Sequence, residues 1–200
     1  MSAAAFRSEL LLRSTSASLA RVGAVAVFAA LFLLAPIARA DTIAVKSAEI
    51  RADEDAYVLN AEFDFALNST LEEALQKGVP LYFSLDFELV RARKYWFDEK
   101  VMSFSTQYRV SYNALTRQYR VASGLLVQTF DGLDEVERFL SRVTSRQIAR
   151  ADELAKGTRY EAAIRMRLDT NQLPKPFQLS ALGSREWSLQ SDWHRWSFTP

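Results

Sequence analysis

The chain has 200 residues, with 25 lysines and arginines against 24 aspartates and glutamates, no cysteine and a single histidine. Zero cysteines exclude disulfides, thiol nucleophiles and thiolate metal sites, and one histidine excludes the zinc sites built on two or three such ligands. The near balance of charge gives no basic footprint of the kind that nucleic acid needs.

The first forty residues do not read as part of a globular core. Arg7, Arg13 and Arg21 precede the apolar run Val22 to Ala35, Pro36 breaks any helix, and Ala38-Arg39-Ala40 puts small residues at the two positions a signal peptidase reads. The expectation is an export signal over residues 1–40, cleaved after Ala40, and one domain over 41–200 in the periplasm. The run is shorter than the roughly 20 apolar residues of a spanning helix. The alternative is an uncleaved inner-membrane anchor over residues 22–35, which would be the chain's one membrane contact. Loss of the leader removes four arginines and one glutamate, leaving 21 basic and 23 acidic residues, net −2.

Beyond the leader the dominant signal is period two. Tyr57, Leu59, Ala61, Phe63, Phe65 and Leu67 alternate with mostly polar neighbours, as do Leu81 to Leu89, Met102 to Tyr112 and Tyr160 to Leu168. Weaker strand patterns cover Ile43–Ile50, Arg117–Ala122, Leu125–Phe130, Phe177–Leu182 and Glu186–Phe198. Alternation with one polar face marks antiparallel sheets. Two helices interrupt them. Ser69-Thr-Leu-Glu72 reads as a capping box with a stop at Gly78 and Pro80. The second begins near Asp131 and buries Leu133, Val136, Leu140 and Val143. A further helical turn is expected over Asp152–Lys156. The predicted fold is mainly β, an antiparallel β-sandwich-like single domain with one or two short helices, the alternative being α+β.

Pro174 and Pro176 follow the strand ending at Leu168. Neither offers an amide to a ladder, and each pushes its predecessor to extended geometry. Residues 168–178 therefore read as a rigid extended corner into the last strands, with Lys175 solvated between the prolines.

Three stretches together carry a family resemblance: Gly78 to Phe83 running on to Arg91-Ala-Arg-Lys-Tyr-Trp-Phe-Asp-Glu99; Tyr108 to Arg120; and Arg165 to Gln178. They resemble the exported proteobacterial proteins grouped as domain of unknown function 4390, with Asn171 departing from the expected serine. The resemblance implies an envelope protein of a Gram-negative bacterium and brings no catalytic residue with it.

The motifs weigh against catalysis. There is no Gly-x-Ser-x-Gly elbow, and His194 stands outside any motif. The five glycines after the leader are too scattered for a phosphate-cradling loop, which disfavours nucleotides and leaves no cofactor to name. Asp53-Glu54-Asp55 lacks the spacing and glycine of a calcium loop and reads as a solvated turn. Asp86 and Glu88 share the polar face of one strand and are the one carboxylate pair that could serve a glycosidase-like reaction. Opposing rows such as Arg165 with Arg167, or Arg109 with Arg120, offer cross-strand ion pairs instead. Tyr95, Trp96 and Phe97, with Trp193 near the C-terminus and Lys175, are the binding candidates, because aromatic and cationic residues concentrate in contact hot spots. The expectation is a non-catalytic periplasmic protein acting through an envelope protein or ligand. The rival is a ligand-binding domain or hydrolase that acts on an envelope polymer through Asp86, Glu88 and the Tyr95–Phe97 aromatics.

Overall fold

The computed structural model describes residues 43–91, 93 and 99–200, within one compact unit, Ala40–Pro200. The predicted export signal and Tyr95, Trp96 and Phe97 lie outside the described residues. Among the described residues nine strands form two antiparallel sheets. In chain order they are β1 (Ala44–Asp53), β2 (Ala56–Asp64), β3 (Leu81–Arg91), β4 (Glu99–Asn113), β5 (Gln118–Ser123), β6 (Leu126–Phe130), β7 (Arg142–Arg150), β8 (Tyr160–Leu168) and β9 (His194–Phe198). The small sheet runs β1-β2-β7 and the large one β6-β5-β4-β3-β8-β9. Among the described residues three short helices, α1 (Ser69–Gln76), α2 (Leu133–Leu140) and α3 (Lys175–Ala181), complete a mainly β, sandwich-like domain. Among the described residues no helix is long and apolar enough to cross a membrane.

β3 organises the core. Leu81, Phe83, Leu85, Phe87 and Leu89 are all fully buried, and each such side chain contributes roughly 1.5–3 kcal/mol of transfer free energy. Their alternate neighbours face outward, so the strand's period two sets the two faces of the large sheet. On the inner face Phe87 stacks on Phe104 of β4 and meets Trp196 of β9. Tyr57 of the small sheet meets Phe198 edge to face at 5.4 Å, and the Arg146 guanidinium of β7 lies 4.1 Å from the centre of the Phe104 ring. Those contacts join the sheets. Helix α2 covers the β4–β6 end of the same face through Phe139, which touches Tyr108 and Phe130.

Helix α1 starts one residue earlier than the capping-box reading has it. Asn68 is the N-cap, its side chain accepting from the Leu71 amide at 3.0 Å. Glu72 is then one position too far along to reach back and bonds Gln76 instead. Gly78 closes the helix at φ 83°, where a side chain would be strained. Asn68 also donates to the Glu186 carbonyl at 2.8 Å. Asn68→Ala is therefore expected to cost about 1 kcal/mol, read as a lower urea midpoint at unchanged slope.

Helix α2 is shorter than its apolar spacing suggests. It stops at Leu140, and Val143 belongs to β7. The i, i+3 rhythm continues across the boundary by coincidence, and Ser141 already accepts from the Phe63 amide of β2 at 2.8 Å. β7 escapes the sequence pattern because its pairing with β2 shifts register twice, and Ser145 takes φ 46° there. A bulge resets which residues face inward, so Val143 and the adjacent pair Ile148 and Ala149 are buried without a simple alternation. Glu137 ties α2 to the chain entering α1, its carboxylate accepting from the Leu67 amide at 2.8 Å. Burial pushes that carboxyl above its ordinary value, the Leu67 bond works against this, and Glu72 and Asp134 add to the rise.

The double-proline corner also differs from its reading. Asp169 accepts from the Asn171 amide at 3.2 Å in a short 3-10 turn, and Leu173 is extended as expected. Lys175, however, opens helix α3, and Phe177–Leu182 is not a strand. Pro174 sits at the N-cap and Pro176 in the first turn, where a missing amide costs nothing. The prolines start a helix rather than an edge. The stretch from Glu186 divides likewise: Arg185–Trp187 is a 3-10 turn and only His194–Phe198 is strand. Asp152–Lys156 forms turns without a helix.

Candidate functional site

The outward row of β3 is Tyr82, Ser84, Asp86 and Glu88. Register places Arg109, Gln107, Ser105 and Ser103 of β4 opposite those four residues in turn, and Arg167, Arg165 and Ala163 of β8 opposite Ser84, Asp86 and Glu88. Residues opposite one another share a face. Arg195 of β9 faces Ala163, and Arg120 of β5 faces Ser111. The polar side of the large sheet therefore carries Lys100, Arg109, Arg120, Arg165, Arg167 and Arg195 against Asp86, Glu88 and Glu161.

Asp86 is the hub of this face. One carboxylate oxygen accepts from Arg165 Nε at 3.0 Å and Arg167 Nε at 3.1 Å, and the other from the Ser105 hydroxyl at 2.7 Å. Its side chain is 14% exposed, so these bonds act in a partly dry setting. Burial pushes the carboxyl up, but the bonds from Ser105, Arg167 and Arg165, with the Arg167 charge, together outweigh it and hold the group below its ordinary range. The Arg165 guanidinium in turn covers the Trp193 ring at 4.5 Å, and Arg167 reaches Asp169 at 3.8 Å. Glu88 pairs with Lys100 at 2.8 Å. The two carboxylates thus answer separate cations on one open sheet face.

Asp86, Glu88, Arg109 and Arg165 spread along the sheet, and Trp193 joins them through Arg165. Lys175 does not. It lines a groove of about 330 Å³ with Asn171, Gln178, Leu179 and Leu182 beside α3. Two further tryptophans divide between uses: Trp187 is buried and packs on Phe177, and Trp196 turns inward to Phe87. His194 lies beside Trp196 at 5.6 Å. Asp53, Glu54 and Asp55 are exposed at the β1–β2 turn. Among the described residues no three His, Asp or Glu side chains gather to hold a metal ion.

Arg195 was missing from the sequence candidates. It also lines a cleft of about 620 Å³ with Arg91, Arg159 and Ser197. Its signal was present in the alternation of His194–Phe198, which turns Trp196 inward and Arg195 outward. Among the described residues Arg109, Arg120 and Arg195 have no carboxylate within ion-pair distance.

Fold and face define a β-sandwich-like domain whose polar sheet surface is open and rich in arginine. Residues 40–197 match the family described as Domain of unknown function (DUF4390), and the chain belongs to that family. No curated protein and no solved structure matches it.

Proposed function

We propose that the protein is a non-catalytic contact module of the bacterial envelope, exported to the periplasm by its first forty residues. It meets an acidic partner through the polar side of the large sheet. One observation carries this reading. The best candidate for catalysis, Asp86, has both oxygens committed to Ser105, Arg165 and Arg167, whereas Arg109, Arg120 and Arg195 stand exposed on the same face. A general acid or nucleophile needs a free oxygen aimed at a substrate, and a contact surface needs unspent charge. The basic face contrasts with the chain beyond the leader, which is net acidic. Such a face steers an acidic surface and orients it, with a strong dependence on salt.

A photo-crosslinker at Gln107, exposed on this face, is expected to capture an envelope component in living cells. The triple variant Arg109→Glu, Arg120→Glu, Arg195→Glu should lower that yield at least tenfold at unchanged melting temperature, since all three side chains are exposed. Undiminished capture, or capture insensitive to salt after isolation of the envelope, would refute the assignment. N-terminal sequencing of the same material tests export, a mature chain beginning at Asp41 being the expected result.

A further inference from the structure

A sheet with free edges invites pairing with another strand, and proteins blunt their edges with charge, bulges or proline. Three of the four edges here are blunted. β1 carries Lys46, Glu49, Arg51 and Asp53 and an irregularity between Val45 and Ser47. β7 carries Arg142, Arg146 and Arg150 and two register shifts. β9 carries the charged Arg195. The fourth edge, β6, is Leu-Val-Gln-Thr-Phe, with no charge, no proline and an unbroken register against β5. It is also exposed: Leu126 by 72%, Val127 by 62%, and the preceding turn residue Leu125 completely.

We propose that β6 is a self-association edge. Two copies of the chain pair antiparallel through it, about a twofold axis at Gln128, and join their large sheets into one. The main-chain pattern fits this register. β5 and β6 are joined by the two-residue turn Gly124-Leu125, with Gly124 at φ 58° as a type II′ turn requires. The flanking pair Ser123 and Leu126 then exchange both bonds, and alternation turns the amides and carbonyls of Val127 and Thr129 outward. In a pair centred on Gln128, Val127 of one copy lies opposite Thr129 of the other. Their outward groups satisfy one another on both sides of the axis.

The side chains agree. Leu126 falls opposite Phe130 of the second copy, Val127 opposite Thr129, and Gln128 opposite itself, giving apolar, β-branched and amide pairs with no like charges. Phe130 already packs on Phe139 of α2 at 5.4 Å, so Leu126 of the second copy extends an existing aromatic cluster. A foreign strand would find no charge on β6 to select it, whereas β6 complements itself. The joined sheet would also carry the arginine face of both copies in one surface.

The absence of cysteine makes the test direct. A non-hydrogen-bonded antiparallel pair brings Cα atoms to about 4.5 Å, within disulfide range. The purified Gln128→Cys protein should therefore oxidise to a covalent dimer at least tenfold faster than Leu115→Cys, which sits on an exposed turn between β4 and β5. Sedimentation of the unmodified protein should show a concentration-dependent dimer. Val127→Lys sets like charges near the axis and Thr129→Pro removes an outward amide. Each should weaken the dimer at least tenfold with an unchanged circular dichroism spectrum. A monomer at every concentration, equal oxidation rates for the two cysteine variants, a dimer indifferent to Val127→Lys, or a foreign strand bound at β6 in place of the second copy would overturn the proposal.

Discussion

Phe87→Ala is expected to lower the unfolding free energy by about 3–5 kcal/mol, the largest effect of any single substitution considered for this domain. Phe87 is fully buried at the centre of the large sheet. Its ring stacks on Phe104 at 5.2 Å and meets Trp196 at 6.4 Å, so truncation removes contacts to both neighbouring regions at once. The ring projects into the core from β3, whose spacing to its neighbours is fixed by ladder bonds on both sides, to β4 and to β8. The sheet cannot close over the void, which places the cost near the upper part of the range for aromatic truncation. Because domains of this size have a total stability of about 5–15 kcal/mol, a large unfolded fraction at physiological temperature follows. Urea denaturation followed by tryptophan fluorescence measures it. A loss below about 1 kcal/mol would mean that Phe87 is not packed as described.

The second large effect is tied to pH. Asp86→Ala is expected to cost about 2 kcal/mol near neutral pH, because it leaves Arg165 and Arg167 without their shared counter-charge and the Ser105 hydroxyl without its acceptor. Both guanidinium side chains are about 30% exposed, so water offsets part of the loss and the cost falls short of that for a fully buried pair. The Asp86 carboxyl titrates below its ordinary value of 3.8 in the folded protein. Its stabilisation is therefore fully present above about pH 5, where the unfolded chain is ionised as well, and is lost as pH falls through the lower folded value. Asp86→Asn removes that segment of the acid limb. The difference in urea midpoint between the two proteins should be constant at neutral pH and shrink on acidification below about pH 5. A difference that grows on acidification would reverse the sign of the assigned shift.

Asp86 also illustrates what could be read from the chain. That Asp86 and Glu88 share a polar face followed from alternation, because side chains in a strand reverse face at every residue. Which cations answer them did not follow, since register between strands 79 positions apart in sequence is a tertiary fact. Arg165 lies opposite Asp86, and Arg167, two residues along the same face, is long enough to reach the same oxygen. The pairing of Glu88 with Lys100 depended on an irregularity between Leu89 and Val90, which shifts β4 relative to β3. Trp193 entered the site through a guanidinium rather than through a groove.

The elements divide along the same line. β2, β3 and β8 could be read because one face of each is a buried apolar row, and β4 because its half-buried face alternates with an exposed polar one; burial is strong enough to impose period two on the composition. β7 could not, since its bulges break the period. α3 was read as a strand because Phe177, Leu179 and Ala181 alternate, and a seven-residue helix on the rim buries too little to show a helical period. Its two prolines are compatible with an extended segment or with a helix start, and packing of Phe177 on Trp187 favours the start.

The sequence by itself determined a mainly β, antiparallel domain, the identity of its core rows and the polar face that carries Asp86 and Glu88, all of which follow from local alternation and the cost of exposing apolar side chains. Only the tertiary structure decided that the two carboxylates answer separate cations, that three arginines remain unspent beside them, and that β6 is the unguarded edge. Those properties depend on which strands lie side by side, and strand order is set by the packing of the two sheets and their helices against one another rather than by any single segment.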